Sequence, residues 1–201
     1  VLPAAVRSLV VALTSALLTV TVALTLALAS ARRQSPLVEA AATLPLATSA
    51  LVLGTGLFLL IQPLAPPMTL ALPVTILVNI ALSLPYLYRI LLPETRALQS
   101  DYARLADSLS LTGWPRLRWL VLPRLARPLG FGTGIAAALS MGDLGVIALF
   151  AGDRQATLPL VVSQLAGAYR TEAAASAALI LITLSFALFW IFDAGGRRAA
   201  A

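Results

Sequence analysis

Three polar side chains stand where their apolar neighbours leave them little water: the amide of Asn79, the phenol of Tyr86 and the carboxylate of Asp143. Polar groups held among apolar neighbours often mark a solute path, so these three are candidates to line a substrate pathway. Each has a plainer alternative. An unpaired amide in hydrocarbon is costly, so Asn79 must face either a neighbouring helix or a wet path. Asp143 can attract a cationic solute, pair with Arg154 or cap the segment that follows. Tyr86, with Tyr88 and Arg89, suits arrival at a membrane interface, where amphipathic aromatics and snorkelling arginine are comfortable.

Catalysis finds little to work with. The chain has no cysteine and no histidine, which removes thiolate and imidazole chemistry together with the commonest metal ligands. Its eight acids are scattered: Glu39, Glu94, Asp101 and Asp107 fall on one side, Asp143, Asp153 and Glu172 on the other, and Asp193 at an edge. Metal or general-base chemistry needs acids gathered at one depth. No G-x-x-x-x-G-K-[ST] phosphate loop occurs, and every basic residue is arginine, so no nucleotide site and no cofactor of its own is expected.

The elements that must position these residues are membrane helices. Hydrophobic residues make up 60% of the 201, charged residues 11%, and the mean hydropathy is +0.94. That exceeds what one water-soluble core could hide. The stretches 8–29, 41–61, 68–92, 128–150 and 174–192 each approach or exceed the roughly 20 residues that span about 30 Å of hydrocarbon. The expected fold is therefore an all-α polytopic bundle of about five crossings, a single domain over 1–201. Chain alternation with the segment 96–127 inside puts eleven of the fourteen arginines inside and leaves Arg7, Arg154 and Arg170 outside. This is the positive-inside bias, so the net charge of +6 reflects topology rather than nucleic-acid binding. Arg197 and Arg198 add attraction for anionic lipid.

Within the first crossing, Thr14, Ser15, Thr19, Thr21 and Thr25 can bond back to helix carbonyls or across to neighbours. Gly54 and Gly56 in the second crossing, and Gly130, Gly132 and Gly134 in the fourth, permit close helix approach. Gln34-Ser35-Pro36 is a short link, and Gln62-Pro63-Leu64-Ala65-Pro66-Pro67 a tight external turn. Pro73 and Pro85 are expected to bend the third crossing, and Pro128 to open the fourth. Asp143 then falls toward the outer side. Gly152-Asp153-Arg154-Gln155 is a turn signal, and 158–165 is too short to span and suits an interfacial or re-entrant external segment.

The longest polar interruption, 96–127, has its own pattern. Ser100 and Asp101 are placed to cap a short helix. Tyr102, Leu105, Ala106 and Leu109 recur at i, i+3, i+4 and i+7 and give it one apolar face. Gly113 is placed to end the turn. Residues 114–122 then form an amphipathic approach, with Arg116 and Arg118 toward water, until Pro123 redirects the chain into the membrane. Such an elbow is a natural docking handle for a soluble partner. A purely structural scaffold gives no reason for it.

The elbow resembles the cytoplasmic coupling loop of binding-protein-dependent ABC importer permeases, written E-A-A-x3-G-x9-I-x-L-P. Arg104, Leu105 and Ala106 occupy the E-A-A places, Ser110 the glycine, Leu120 the isoleucine and Leu122-Pro123 the final pair. Ala106, Leu122 and Pro123 match in identity. The wider chain is similar to the second half of thiamine importer permeases through Leu84-Pro85-Tyr86, the run Leu109-Ser110-Leu111-Thr112-Gly113-Trp114, Leu120-Val121-Leu122-Pro123-Arg124, Gly142-Asp143-Leu144-Gly145-Val146 and Gly167-Ala168-Tyr169-Arg170. Ferric iron, sulfate and polyamine permeases share the loop and much of the plan. The resemblance implies a type I importer permease in the bacterial inner membrane, with another permease half fused ahead of it. Its partners would be a cytoplasmic ATPase dimer that grips the elbow at Arg104, Leu105, Ala106, Leu109, Ser110, Gly113, Leu120, Leu122 and Pro123, and a periplasmic substrate-binding protein. Membrane lipid would surround it.

Overall fold

A computed structural model describes residues 1–33, 36–63, 66, 70–150 and 155–200. Every regular element among them is helical: α1 (Leu2–Arg33), α2 (Pro36–Thr43) with a 3-10 turn (Leu44–Ala47), α3 (Ala50–Ile61), α4 (Ala71–Ser108), α5 (Gly113–Arg116), α6 (Leu122–Met141), α7 (Ile147–Phe150), α8 (Leu158–Gly167) and α9 (Thr171–Ala199). A π-helical turn (Leu117–Val121) joins α5 to α6. The expected links at Gln34-Ser35, through Leu64, Ala65 and Pro67, and at Gly152-Asp153-Arg154 lie outside the described residues.

Helices α1, α4 and α9 are each long and apolar enough to cross a membrane, and the second expected crossing makes a fourth if its two halves, bent by 97°, form one span. That bend follows from local chemistry. Pro45 sits at the start of the 3-10 turn, and the Ser49 hydroxyl then starts α3 afresh by accepting from the Val52 N–H at 3.3 Å. The fourth expected crossing, 128–150, has different limits. Its helix begins at Leu122, carries Pro128 inside and ends at Met141, and residues 142–146 separate it from the short α7. Pro128 therefore does not open it, and Arg124 and Arg127 make its first turns more polar than a full apolar span. Pro73 lies in the first turn of α4, where a missing N–H is tolerated, whereas Pro85 and Pro93 lie inside.

Packing relies on small residues. One seam of α1, made by Ala12, Ala16, Thr19, Ala23 and Ala27, is fully shielded, and α1 lies along both α4 and α6. Without a hydrophobic drive between helices in lipid, such seams gain by van der Waals contact at short range. On α6, Gly132 faces Leu87 of α4, while Gly130 and Gly134 face α9. Gly54 of α3 meets Val146 and Leu149, but a Cβ on Gly56 would meet nothing within 4 Å, so only the first makes a close approach. Outward-facing Leu179, Ile182 and Phe186 of α9 remain exposed, as a lipid-facing helix requires.

Two long-range contacts sort the helix ends. The Arg7 Nη1 donates to the Ala156 carbonyl at 3.0 Å, and the Leu158 N–H donates to Ser8 Oγ at 2.8 Å. These bonds hold the start of α8 against the start of α1. Glu39 and Arg96 pair at 3.4 Å between α2 and α4. Both contacts join ends that alternation assigns to a common side. The segment 158–165 falls in α8, a ten-residue apolar helix ending at Gly167, too short to span.

Candidate functional site

Asn79, on α4, is 2% exposed and donates through Nδ2 to Ser140 Oγ of α6 at 2.7 Å. The Ser140 hydroxyl lies 2.7 Å from that of Ser15 on α1, and Ser15 also donates to the Val11 carbonyl one turn back. One arrangement of protons satisfies the chain: Ser15 gives its proton to Val11, Ser140 gives its own to Ser15, and Asn79 gives one to Ser140. Three helices are thereby joined at a buried polar node. The interhelical alternative for Asn79 is thus realised, and the same residue also lines a cavity.

That cavity, ≈ 420 Å³, opens between the 3-10 turn, α4 and the end of α6. Thr48, Asn79, Ser83, Tyr86, Ser140 and Asp143 supply its polar wall. All three candidate pathway residues, far apart in the sequence, therefore share one space. Tyr86, among its lining residues, is 47% exposed. Asp143 follows the end of α6, and its Oδ1 accepts from the Gly145 N–H at 3.1 Å, an Asx-type turn that caps the approach to α7. Its Oδ2 is shielded and has no hydrogen-bond partner among the described residues. Arg154, the other expected partner, lies outside them.

Tyr88 corrects the interface reading. It is 1% exposed, and its hydroxyl donates to Ser30 Oγ of α1 at 2.9 Å. Two residues apart on a helix turn roughly 200°, so Tyr86 and Tyr88 point to opposite sides and only Tyr86 remains outward. Ser140, Ser83 and Thr48 are cavity residues that the sequence reading passed over. A hydroxyl interrupting the run Ala136-Ala137-Ala138-Leu139 was the available signal for Ser140.

The elbow differs in form from the expected separate helix. Helix α4 continues unbroken from the cavity to Ser108, so Ser100 and Asp101 cap nothing. The Ser100 hydroxyl instead donates to the Ala97 carbonyl and to Asp101 Oδ1. Helix α4 ends in a Schellman motif: the Leu111 N–H donates to the Ala106 carbonyl at 2.8 Å and the Ser110 N–H to the Asp107 carbonyl at 3.0 Å. The residue at the left-handed position of that motif is Ser110, with φ 51°, where glycine is usual. Gly113 has φ 61° and begins α5 rather than ending the earlier turn. Pro123 likewise does not redirect the chain, because it sits in the first turn of α6 in a helical run that starts at Gly113.

Among the expected contact residues, Arg104, Leu105, Leu109, Ser110, Gly113, Leu122 and Pro123 are exposed, Leu120 is half-buried and Ala106 is buried. Trp114 and Trp119 are also exposed, at 66% and 71%. Leu98, Val121 and Leu125 form a small core beneath the elbow, with Tyr102 and Leu120 against it. The Arg124 guanidinium stacks over the Tyr102 ring at 4.6 Å, which ties the two arms together.

No protein-family model matches the chain. Individual relatives do. It is 39% identical over 184 residues to the thiamine transport system permease protein ThiP of Brucella abortus, covering 89% of this chain and 33% of that protein. The ThiP of Escherichia coli is 38% identical over 160 residues, covering 77% and 29%, and that of Haemophilus influenzae 34% over 189, covering 90% and 35%. The chain thus spans about a third of the length of these relatives. Similarity along nearly the whole of an all-helical chain with membrane-length spans identifies it as a homologue of the thiamine transport system permeases, matching one part of such a protein.

Proposed function

We propose that this chain is the solute-conducting part of an ATP-driven importer of the inner membrane, and that the solute is thiamine. The kinship with permeases of thiamine transport systems carries this reading. The cavity suits the solute: Tyr86 offers a π-face, Asp143 a carboxylate, and Asn79, Ser83 and Ser140 neutral hydrogen-bonding groups. A cationic aromatic ring gains from such a face and acid.

Coupling follows from the same helix. Tyr86 and Arg104 lie on α4, eighteen residues or about 27 Å apart along its axis. Ser140 and Pro123 lie on α6, so the two cavity walls are the two arms of the elbow. An ATPase subunit that grips Arg104, Leu105 and Leu109 on the cytoplasmic side, and moves on binding ATP, shifts these walls and exposes the cavity to alternate sides. A binding protein on the opposite face delivers the solute, and a second permease half completes the pathway. The bias of eleven arginines toward the elbow side supports this orientation.

Uptake of labelled thiamine in cells carrying the intact full-length permease gene, compared with cells lacking it, tests the proposal. Equal uptake refutes the solute assignment. Crosslinking of Leu105→Cys to a copurifying ATPase tests the coupling separately, and labelling of that cysteine only from the outside refutes the orientation.

A further inference from the structure

We propose that the elbow side of the bundle holds a specific phospholipid site, selective for a zwitterionic headgroup with a primary ammonium, as in phosphatidylethanolamine. The inference rests on two adjoining cavities of opposite character. The first, ≈ 600 Å³, lies where α4, α6 and α9 meet, and its charged wall is Glu94, Arg127, Asp193 and Arg197. Arg197 is paired with Asp193 one turn away. Glu94 and Arg127, which flank the elbow, line the same space but form no ion pair with each other or with any other described residue. An acid and a base thus face one cavity across a gap.

The second cavity, ≈ 300 Å³, shares Phe189 with the first and is otherwise lined by Ala138, Ser185 and Phe186. The Ser185 hydroxyl is spent on the Leu181 carbonyl at 2.8 Å, so it presents no polar demand. Between the two stand Phe131 and Phe189, edge to face with centroids 5.8 Å apart. From Arg197 back to Phe186 is eleven residues of α9, about 16 Å. The sequence of environments, charged toward the elbow and then aromatic and then apolar toward mid-bilayer, is that of an amphiphile standing in the leaflet on the elbow side.

Charge sign selects the headgroup. The Arg127 guanidinium can take a phosphate through two parallel bonds, and the Glu94 carboxylate can take an ammonium two carbons further along. A glycerol headgroup lacks that ammonium and would set its phosphate against Glu94 with no compensation. The site therefore differs from the simple attraction of Arg197 and Arg198 for anionic lipid, which would favour the opposite choice.

Native mass spectrometry of the full-length permease with its partner subunits, delipidated and then titrated, tests this with four probes: phosphatidylethanolamine, phosphatidylglycerol, glycerophosphoethanolamine and inorganic phosphate. Phosphatidylethanolamine is expected to bind roughly tenfold more tightly than phosphatidylglycerol, about the worth of one charge-assisted hydrogen bond. Glu94→Gln should erase that preference, and Arg127→Gln should weaken both lipids. Equal binding of the two lipids, or binding of glycerophosphoethanolamine or phosphate as tight as that of the lipid, overturns the proposal. In the unsubstituted protein, a phosphatidylethanolamine with a photoreactive acyl chain should label the peptide around Phe186. If that peptide crosslinks instead to another part of the polypeptide, the cavity is a protein interface and the proposal fails.

Discussion

Gly130 and Gly196 hold α6 and α9 in direct backbone contact. A Cβ added to Gly130 would lie 2.6 Å from the Cα of Gly196 and 2.5 Å from the Phe192 carbonyl, and one added to Gly196 would lie 2.6 Å from the Ala126 carbonyl. Backbone cannot move aside as a flexible side chain can, so the helices would have to separate. Gly130→Ala and Gly196→Ala should each cost about 1–3 kcal/mol, the usual penalty for overpacking, whereas Gly195→Ala, with open space around it, should be neutral. Thermal melting of the three variants in one detergent checks the contrast, and equal melting points would mean that this crossing is looser than described.

Ser140 is the middle of the buried node, taking a proton from Asn79 and lying within bonding distance of Ser15. Ser140→Ala removes the acceptor for a shielded amide and should cost about 1–3 kcal/mol through the unsatisfied group. Adding Asn79→Leu should cost less than the sum of the single changes, since the orphaned donor is then gone. Chemical denaturation of the two single variants and the double variant gives the coupling directly, and simple additivity would argue against the bond.

Ser110 occupies a left-handed position that disfavours any residue with a Cβ. Ser110→Gly should stabilise the elbow by about 1 kcal/mol, and Ser110→Val should destabilise it by more, because β-branching makes φ above zero a genuine outlier. Hydrogen exchange at Leu111, whose N–H closes the motif on Ala106, should slow in the glycine variant and quicken in the valine variant. Exchange that ignores both changes would show that the turn is held by something other than this geometry.

Leu105 and Leu109 are 52% and 62% exposed, one turn apart, and contribute little to the fold. Leu105→Asp and Leu109→Asp should therefore leave melting within about 0.5 kcal/mol of the parent. If the elbow is an ATPase contact, solute-stimulated ATP hydrolysis in the reconstituted full-length transporter should fall roughly tenfold or more, as loss of an interface anchor does. Full stimulation in both variants would remove the elbow from the coupling scheme.

Much of this was legible because lipid is a simple solvent. Runs of apolar residues long enough to span, punctuated by prolines and flanked by arginine, leave few other folds, and Gly130 and Gly134 were readable as contact points for the same reason. The boundaries were less so. Ser100-Asp101 carries the letters of a cap, but a cap requires free N–H groups ahead of it, and α4 arrives already paired. Pro123 is expected to redirect the chain and Pro128 to open a crossing, yet Pro123 falls in the first turn of α6, Pro128 lies inside that helix, and the π-helical turn before them carries the helical run through from α5. Asn79, Tyr86 and Asp143 could each be suspected singly. That they line one cavity depends on the bend near Ser49 and on the end of α6 at Met141, both tertiary facts. Tyr88 was misjudged although helical geometry alone separates it from Tyr86.

The bonds of Arg7 to the Ala156 carbonyl and of the Leu158 N–H to Ser8 act as a clasp between segments 149 and 150 residues apart. Neither half of the clasp has anything to fasten until the other has been made. Truncating those two side chains would be felt less at α1 than at the short helix α8, whose first amide and preceding carbonyl would be left bare in greasy surroundings.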